Sequence, residues 1–272
     1  PGSCFVNGEY FNCSSFLNGD YSKISKGTLQ RKICDGITTR KISDAPVGLL
    51  LSRGIDSNLL KELGVFKKYY SIGFKEDEDI KYLESKKIEN LTTIECSASE
   101  YKKNFDYLLQ LRGEPMSVPN EVLLYTIANR ASEDGIKVLL SGEGADEFFG
   151  GYDRIFGWAA NTDSFDLDIF LKMYCYKVPN KNSVVYQKFA QIFANQDFYS
   201  VFEAVRWFFI RFHMPVLFRR LDFSLMAAGV EGREPLANMH VFEIAAKMSV
   251  DDLIGNKRGK LPLRELISDF LG

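Results

Sequence analysis

Two short segments of the chain combine carboxylates, hydroxyls and glycines in a way that suits phosphate and metal chemistry. The first, SRGIDS at residues 52–57, follows an apolar run and precedes a helical pattern. A strand, a tight loop and a helix N-terminus in this order direct backbone N–H groups and the positive end of a helix dipole at one point, which suits phosphate. Asp56 would repel phosphate directly, so its presence predicts a divalent cation beside it.

The second segment, SGEGADEFFGGY at residues 141–152, places three carboxylates within five residues after another apolar run. Their mutual repulsion would be relieved by a cation or a positive ligand. A merely solvated acidic loop is the alternative, but the glycines of this segment indicate close backbone approach. Mg²⁺ usually takes one or two carboxylates plus phosphate oxygens, so Asp56 and Asp146 together could hold it against the phosphates of a nucleotide.

The elements around these segments alternate between strands and helices. We predict strands at 47–52, 69–74, 91–96 and 136–140, and helices at 26–42, 79–89, 99–111 (with Ser99 as the N-cap) and 121–133. Such alternation indicates an α/β fold with a doubly wound parallel sheet, in which ligands lie beyond the carboxyl ends of the strands near the switch point. After residue 163 the strand signal fades, and a mostly helical C-terminal part is expected.

Composition restricts the function classes. The 272 residues are 46% hydrophobic and 26% charged, and the net charge of −2 gives no electrostatic case for nucleic acid as a partner. No apolar run reaches the length of a membrane span, and no signal-peptide pattern opens the chain. Five scattered cysteines without CxxC spacing suggest free thiols in a reducing compartment, so a cytoplasmic location is expected. Two histidines exclude a histidine-rich metal site.

Three segments of the chain are expected. Residues 1–22 have the strand-and-turn composition of a short N-terminal segment, 23–152 form the α/β core that carries the two phosphate and metal segments, and 153–272 form a helical part that completes the site.

The chain carries a resemblance beyond its first two segments. SRGIDS resembles the pyrophosphate-binding loop of the ATP pyrophosphatases, whose pattern is Ser-Gly-Gly-x-Asp-Ser, and 141–152 closely resembles the signature segment of the asparagine synthetase family. Residues 71–73, 226–236 and 259–265 resemble further family segments in the same order, and the likeness covers roughly residues 20–272. The fold implied is that of the adenine nucleotide alpha hydrolases.

The resemblance implies an ATP- and Mg²⁺-dependent, AMP-forming ligase that activates a carboxylate as an acyl-adenylate for attack by ammonia or an amine. It assigns the pyrophosphate to Ser52, Gly54, Asp56 and Ser57, the nucleoside to Leu51, Ile72, Ser141 and Gly142, and Mg²⁺ to Asp56 and Asp146. It places Lys260 over the α-phosphate, where it would stabilise charge that grows in the transition state. Glu143 would orient the partner of the activated carboxylate or take a proton from the attacking nitrogen.

Some of these roles have simpler alternatives. Lys260 could be one of three solvated cations in the segment 257–260, although the family likeness favours the catalytic role. Glu231 and Arg233 are expected to form a structural ion pair. The two tryptophans are most simply core residues.

Three departures from the family pattern leave alternatives open. Arg53 replaces the first loop glycine, so the loop either tolerates arginine, gains a bond to phosphate, or is degenerate and marks a nucleotide-binding pseudoenzyme. No arginine of an aspartate-holding segment follows Arg112, so aspartate is only the default acceptor and another carboxylate could be amidated or cyclised. The usual glutaminase domain is absent from the sequence, so ammonia is expected from solution or from a separate glutaminase subunit, unless another amine replaces it. A tRNA-modifying enzyme is less expected, since the chain lacks a basic patch.

Overall fold

The computed structural model describes residues 16–116, 118–194, 197–256 and 258–270, and the backbone of residues 3–6 and 9–12. Cys13, Lys257 and both chain ends lie outside these ranges. The described chain divides into two compact units. Unit 1 comprises residues 1–25, 145–214 and 242–262, and unit 2 comprises residues 26–144, 215–241 and 263–272.

The described strands are β1 Ser3–Val6, β2 Glu9–Asn12, β3 Val47–Leu50, β4 Lys68–Gly73, β5 Leu91–Glu95, β6 Val138–Leu140 and β7 Glu231–Arg233. The described α-helices are α1 Lys26–Arg40, α2 Ile55–Leu63, α3 Glu78–Ser85, α4 Ala98–Arg112, α5 Glu121–Glu133, α6 Ala145–Phe149, α7 Asp153–Ala159, α8 Leu167–Tyr174, α9 Val184–Ala194, α10 Val201–Phe208, α11 Met214–Met226, α12 Met239–Ala246, α13 Val250–Leu253 and α14 Leu261–Ser268. A π-helical turn, Phe209–His213, links α10 to α11.

Unit 2 is built on a parallel sheet, which, within the described ranges, has five strands in the order β5-β4-β3-β6-β7. The chain runs outward from β3 to β5, then returns to place β6 on the other side of β3. Strand order therefore reverses between β3 and β6, and the segments 52–57 and 141–144 follow these two strands at the switch point. The predicted α/β fold with a doubly wound parallel sheet is confirmed.

The core of unit 2 explains why the central strands β3 and β6 are apolar throughout. Helices α5 and α11 bury aliphatic side chains against the middle strands in one cluster, formed by Tyr70, Ile127, Ala128, Ala131, Ile136, Leu139, Leu221, Leu225 and Val230. Strands covered by helices on their faces read as continuous hydrophobic runs, which is how β3, β4 and β6 could be recognised. Strand β7 reads EGR and has no such run, so the sequence analysis missed it; its pairing with β6 forms it.

Several predicted boundaries need correction. Helix α4 begins one residue before Ser99, and its N-cap is Ser97, whose hydroxyl accepts from the N–H of Glu100 at 3.2 Å. The helices predicted at 26–42 and 79–89 end earlier, at Arg40 and Ser85, and the strand predicted at 136–140 begins at Val138. These errors are of one to four residues, because the ends of helices and strands lack a sharp signal in the sequence.

Unit 1 is mostly helical and its core is aromatic. Phe170 and Phe208 are fully buried and meet edge to face with ring centroids 4.9 Å apart. All eight residues of α10 are buried, and α7 packs against this helix. In the described part of the chain no helix is long and apolar enough to cross a membrane.

Candidate functional site

The segment 52–57 in unit 2 has the form of an anion-binding junction. Helix α2 begins at Ile55 after Gly54, and no side chain caps its N-terminus. Ser57 Oγ accepts from the N–H of Ser52 at 3.1 Å, and the side chain of Asn58 donates to the carbonyl oxygens of Ser52 and Gly54 at 2.9 and 2.8 Å. Side chains of α2 thus bind the loop's carbonyl oxygens, and the N-terminus of the helix remains the electropositive end.

The switch point brings the second segment against this loop. A Cβ on Gly142 would lie 2.9 Å from the Cβ of Asp56 and 3.3 Å from the backbone nitrogen of Ser57. Glycine at this position therefore permits a close approach of the two loops. Ser52, Gly54, Asp56, Ser57, Ser141 and Gly142 all lie at this edge of the sheet.

The residues predicted to line the nucleoside occupy the strand ends beside the junction. Leu51 is buried, and its N–H donates to the carbonyl oxygen of Tyr70 at 2.8 Å. Ile72 lies one residue before the end of β4 and packs partly against the core. Ser141 is buried, and its N–H donates to the carbonyl oxygen of Arg233 at 2.9 Å. These residues sit on three neighbouring strands.

Arg53 lies in the loop without strain. Its backbone φ is not positive, so this position does not require glycine for its backbone conformation. Its side chain is 55% exposed, with Nε 3.6 Å from Asp79 Oδ1 and the guanidinium 5.9 Å from the centre of the Tyr82 ring. The loop therefore keeps its shape with arginine, and α3 holds the side chain.

Glu143 is held by an ion pair. Its carboxylate bonds the guanidinium of Arg220, and both side chains are largely buried in unit 2. A fixed arginine orients the carboxylate.

A further carboxyl group, that of Glu234, lies close to Glu143. It follows β7, whose last residue, Arg233, pairs with Leu140 of β6. Burial, reinforced by the charge of Glu143, raises the pKa of Glu234 to about 7.

Unit 1 contains Lys260 and Asp146. Lys260 Nζ lies 2.7 Å from Asp146 Oδ1, and the lysine side chain is only 8% exposed. Its neighbour Arg258 is exposed, so Lys260 is not one of a run of solvated cations. Lys260 has a φ of 59°, a left-handed conformation that costs a non-glycine residue about 1–3 kcal/mol, and the surrounding structure imposes it.

Close glycine packing fixes this lysine. A Cβ on Gly259 would lie 1.8 Å from the carbonyl oxygen of Gly150. A Cβ on Gly151 would lie 2.0 Å from Asp146 Oδ1 and 2.1 Å from Lys260 Cε. The N–H of Lys260 donates to the carbonyl oxygen of Phe149 at 2.9 Å. A larger residue at position 151 would displace the pair, and one at position 259 would displace the backbone of Gly150.

The carboxylates differ from a metal site made by protein side chains alone. No group of three or more His, Cys, Asp or Glu side chains among the described residues could hold a metal ion. Asp56, in unit 2, and Asp146, in unit 1, each offer carboxylate oxygens, the kind of ligand that Mg²⁺ prefers, and this ion commonly takes its other ligands from phosphates and water. The donor chemistry of each carboxylate therefore fits Mg²⁺.

Several residues around the site were missed by sequence reasoning. Arg220 and Glu234 lie far from their partner Glu143 in sequence, so no local pattern marks them. The expected ion pair between Glu231 and Arg233 is present, with two contacts of 2.9 Å. Glu203 and Arg206 form a pair inside the apolar helix α10. Their spacing of three residues in an otherwise apolar run was the signal for that pair.

The family model for asparagine synthase matches residues 28–271. Asparagine synthetase (glutamine-hydrolyzing) 1 of Bacillus subtilis is 34% identical over 131 residues, which cover 44% of this chain and 20% of that protein. A putative asparagine synthetase (glutamine-hydrolyzing) 1 of Methanocaldococcus jannaschii is 33% identical over 138 residues, which cover 48% of this chain and 26% of that protein.

Asparagine synthetase B (glutamine-hydrolyzing) of Escherichia coli is similar over more of the chain, with 22% identity over 274 residues covering 90% of this chain and 42% of that protein. The matched regions thus span less than half of each of these three relatives. Because the family model covers most of the residues in a single match, the chain belongs to the asparagine synthase family.

Proposed function

We propose that the chain carries the synthetase activity of an ATP-dependent carbon–nitrogen ligase, which converts a carboxylate into an amide and ATP into AMP and pyrophosphate. The observation that carries this proposal is the junction at Ser52–Ser57, where the uncapped N-terminus of α2 meets hydroxyl groups at the switch point of the sheet. An anion-binding loop at this place suits the pyrophosphate of a nucleotide.

In the first step, an oxygen of the substrate carboxylate attacks the α-phosphorus of ATP. The bond from that phosphorus to the bridging oxygen of the β-phosphate breaks, and pyrophosphate leaves. Ser52, Gly54, Asp56 and Ser57 hold the leaving pyrophosphate, and Lys260 stabilises the charge that grows on the α-phosphate. Mg²⁺, when bound through Asp56 and Asp146, supplies charge neutralisation of the phosphates.

The nucleoside has its own set of residues. Leu51, Ile72, Ser141 and Gly142 line the adenosine at the ends of the strands, where backbone groups and apolar side chains are both available.

In the second step, a nitrogen nucleophile attacks the acyl carbon of the adenylate, and AMP leaves as the amide forms. The nitrogen loses a proton, and Glu143 is the group that accepts it or orients the nucleophile. Arg220 keeps that carboxylate in place. Ammonia is the simplest nucleophile, and a separate glutaminase subunit is the proposed alternative to ammonia from solution.

The acceptor is proposed from the relatives and from the sequence. Aspartate is the default, because the relatives are named asparagine synthetases. Amidation or cyclisation of another carboxylate is the second candidate, since the segment after Arg112 lacks a further arginine.

The proposed compartment is the cytoplasm, where free cysteines such as Cys34 and Cys96 stay reduced.

Release of pyrophosphate and AMP from ATP, measured with a panel of carboxylates and ammonium, tests the proposal. We expect equal amounts of both products with one acceptor. The variant Asp56→Asn should abolish release, and Asp79→Asn, on α3 near the same loop, should leave it within about twofold, because surface ion pairs contribute little. Tight binding of Mg²⁺·ATP without any cleavage would instead support a nucleotide-binding pseudoenzyme.

A further inference from the structure

A buried ion pair in unit 1 contacts helix α6, which carries Asp146. Glu203 and Arg206 of α10 have no exposed surface, and Arg206 Nη1 lies 3.4 Å from Glu203 Oε1. The hydroxyl of Tyr21 donates to the same carboxylate oxygen at 3.1 Å. Burial raises the pKa of Glu203, and the guanidinium of Arg206 opposes this shift. A buried ion pair generally adds little stability over apolar residues of similar size, so this one calls for another role.

The remaining hydrogen bond of Arg206 indicates that role. Its Nη2 donates to the carbonyl oxygen of Phe148 at 2.7 Å. Helix α6 has only five residues, and its last carbonyl groups need partners from outside the helix. A guanidinium gives a strong, directional hydrogen bond to such a carbonyl and complements the negative end of the helix. Arg206 therefore fixes the C-terminal end of α6.

That end of α6 leads directly to Lys260. Phe149 follows Phe148, and its carbonyl oxygen accepts from the N–H of Lys260. The carbonyl oxygen of Asp146 accepts from the N–H of Gly151 at 2.8 Å, which closes the turn after the helix. With no room for a Cβ at Gly151 or Gly259, a shift of α6 would be transmitted to the Lys260–Asp146 pair.

We propose that Arg206 is a positioning residue, which holds the end of α6 so that Lys260 and Asp146 keep their relative geometry. The importance of Arg206 for turnover rests on the proposed function. The effect of Arg206 on Lys260 does not, because the burial and pairing of this lysine can be measured without turnover of ATP.

The test uses the double variant Glu203→Gln, Arg206→Met in the full chain. Glutamine still accepts from Tyr21, and methionine fills much of the arginine's volume without leaving an unpaired charge. Acetylation of Lys260 by a limiting amount of acetic anhydride is followed by peptide mass spectrometry, together with kcat and KM for ATP. We expect Lys260 to acetylate several-fold faster and kcat to fall by about ten- to a hundredfold, with a much smaller change in KM.

Val205→Ala is the matched control, since Val205 is fully buried in the same helix. It should lower the midpoint of thermal unfolding yet leave Lys260 acetylation unchanged. A folded double variant with wild-type acetylation would overturn the proposal. If wild type shows no turnover but the acetylation changes as expected, the proposed function fails and the positioning role stands.

The single variant Arg206→Lys decides the question if the double variant does not fold. Lysine keeps the charge beside Glu203 but lacks the forked donors that bond Glu203 and Phe148 together. Faster acetylation of Lys260 in this variant supports the proposal, and acetylation at the wild-type rate overturns it.

Discussion

The loop after β3 in unit 2 and the Lys260–Asp146 pair in unit 1 are both proposed to act in phosphate chemistry, but they are built differently. The loop is exposed at Ser52, Arg53 and Gly54 and holds its shape through hydrogen bonds within seven consecutive residues. The pair is largely buried, and backbone from distant parts of the chain packs around it. A local loop can adapt to its ligand, whereas a packed charge pair is set before the ligand arrives.

This difference assigns the two regions different tasks. Backbone N–H groups at a helix end suit binding, because they contact the phosphates in substrate and product alike. A buried lysine with a fixed position suits stabilisation of charge that develops only in the transition state. We therefore expect changes in the loop at 52–57 to act mainly on nucleotide binding, and changes at Lys260 to act mainly on the rate of the chemical step.

The largest effect is expected for Lys260→Met. Loss of one preorganised charge should lower kcat for pyrophosphate release by about 100- to 1,000-fold, while KM for ATP changes little. Arg258→Met is the matched control, because Arg258 is an exposed cation two residues away. If both variants lose activity equally, the buried position of Lys260 has no special role.

A smaller loss is expected for Gly151→Ala. The added methyl group would meet Asp146 Oδ1 and Lys260 Cε, so the pair must separate, and kcat should fall by about tenfold or more. Gly157→Ala, where a Cβ meets nothing within 4 Å, is the control and should leave kcat unchanged. Steady-state kinetics of both variants measure this difference. An unchanged kcat for Gly151→Ala, as in the control, would contradict the packing interpretation.

Glu234 provides a pH-dependent comparison within unit 2. Its pKa is raised from 4.5 to about 7 by burial, so the folded chain binds a proton more tightly than the unfolded chain does between these values. Stability from this group is therefore present at low pH and is lost as pH rises towards 7. The free energy of unfolding of Glu234→Gln, relative to that of wild type, should therefore be higher at pH 8 than at pH 5 by on the order of 1–3 kcal/mol.

Urea unfolding at both pH values measures this gain. Glu231→Gln is the control. A hydrogen bond from Arg233 lowers the pKa of Glu231, so the stability that the folded chain gains from this group is lost as pH falls, the opposite direction to Glu234. A gain for Glu234→Gln that is the same at pH 5 and pH 8 would contradict the burial of an ionisable carboxyl group.

The smallest effect is expected for Arg53→Gly, which restores the family's glycine. The backbone of Arg53 is not left-handed, and its side chain contacts Asp79 and Tyr82 on α3. The affinity for Mg²⁺·ATP should therefore change by no more than about threefold. Calorimetric titration measures it. A large gain in affinity would mean that arginine impairs the loop.

Local patterns in the sequence were enough to predict much of the fold. Apolar runs marked β3, β4 and β6, since strands buried on both faces need continuous hydrophobic residues. The strand, loop and helix at 47–63 were also predicted, because their signal is contiguous. Strand β7 escaped detection, since its residues Glu231–Arg233 form a strand only through pairing with β6.

The candidate site divides in the same way. Ser52, Asp56 and Ser57 could be proposed from one short segment. The burial of Lys260 and the pairing of Glu143 with Arg220 are long-range facts, which no local pattern contains. Arg206 reaches Phe148 across 58 positions, so its link to helix α6, which carries Asp146, required the folded structure.

The most direct test of AMP-forming chemistry follows oxygen from the acceptor. An acceptor carboxylate labelled with ¹⁸O is incubated with the chain, ATP, Mg²⁺ and ammonium, and the products are analysed by mass spectrometry. Attack of the carboxylate on the α-phosphorus predicts that one ¹⁸O atom appears in AMP. Label in inorganic phosphate with formation of ADP, or unlabelled AMP, would contradict an acyl-adenylate.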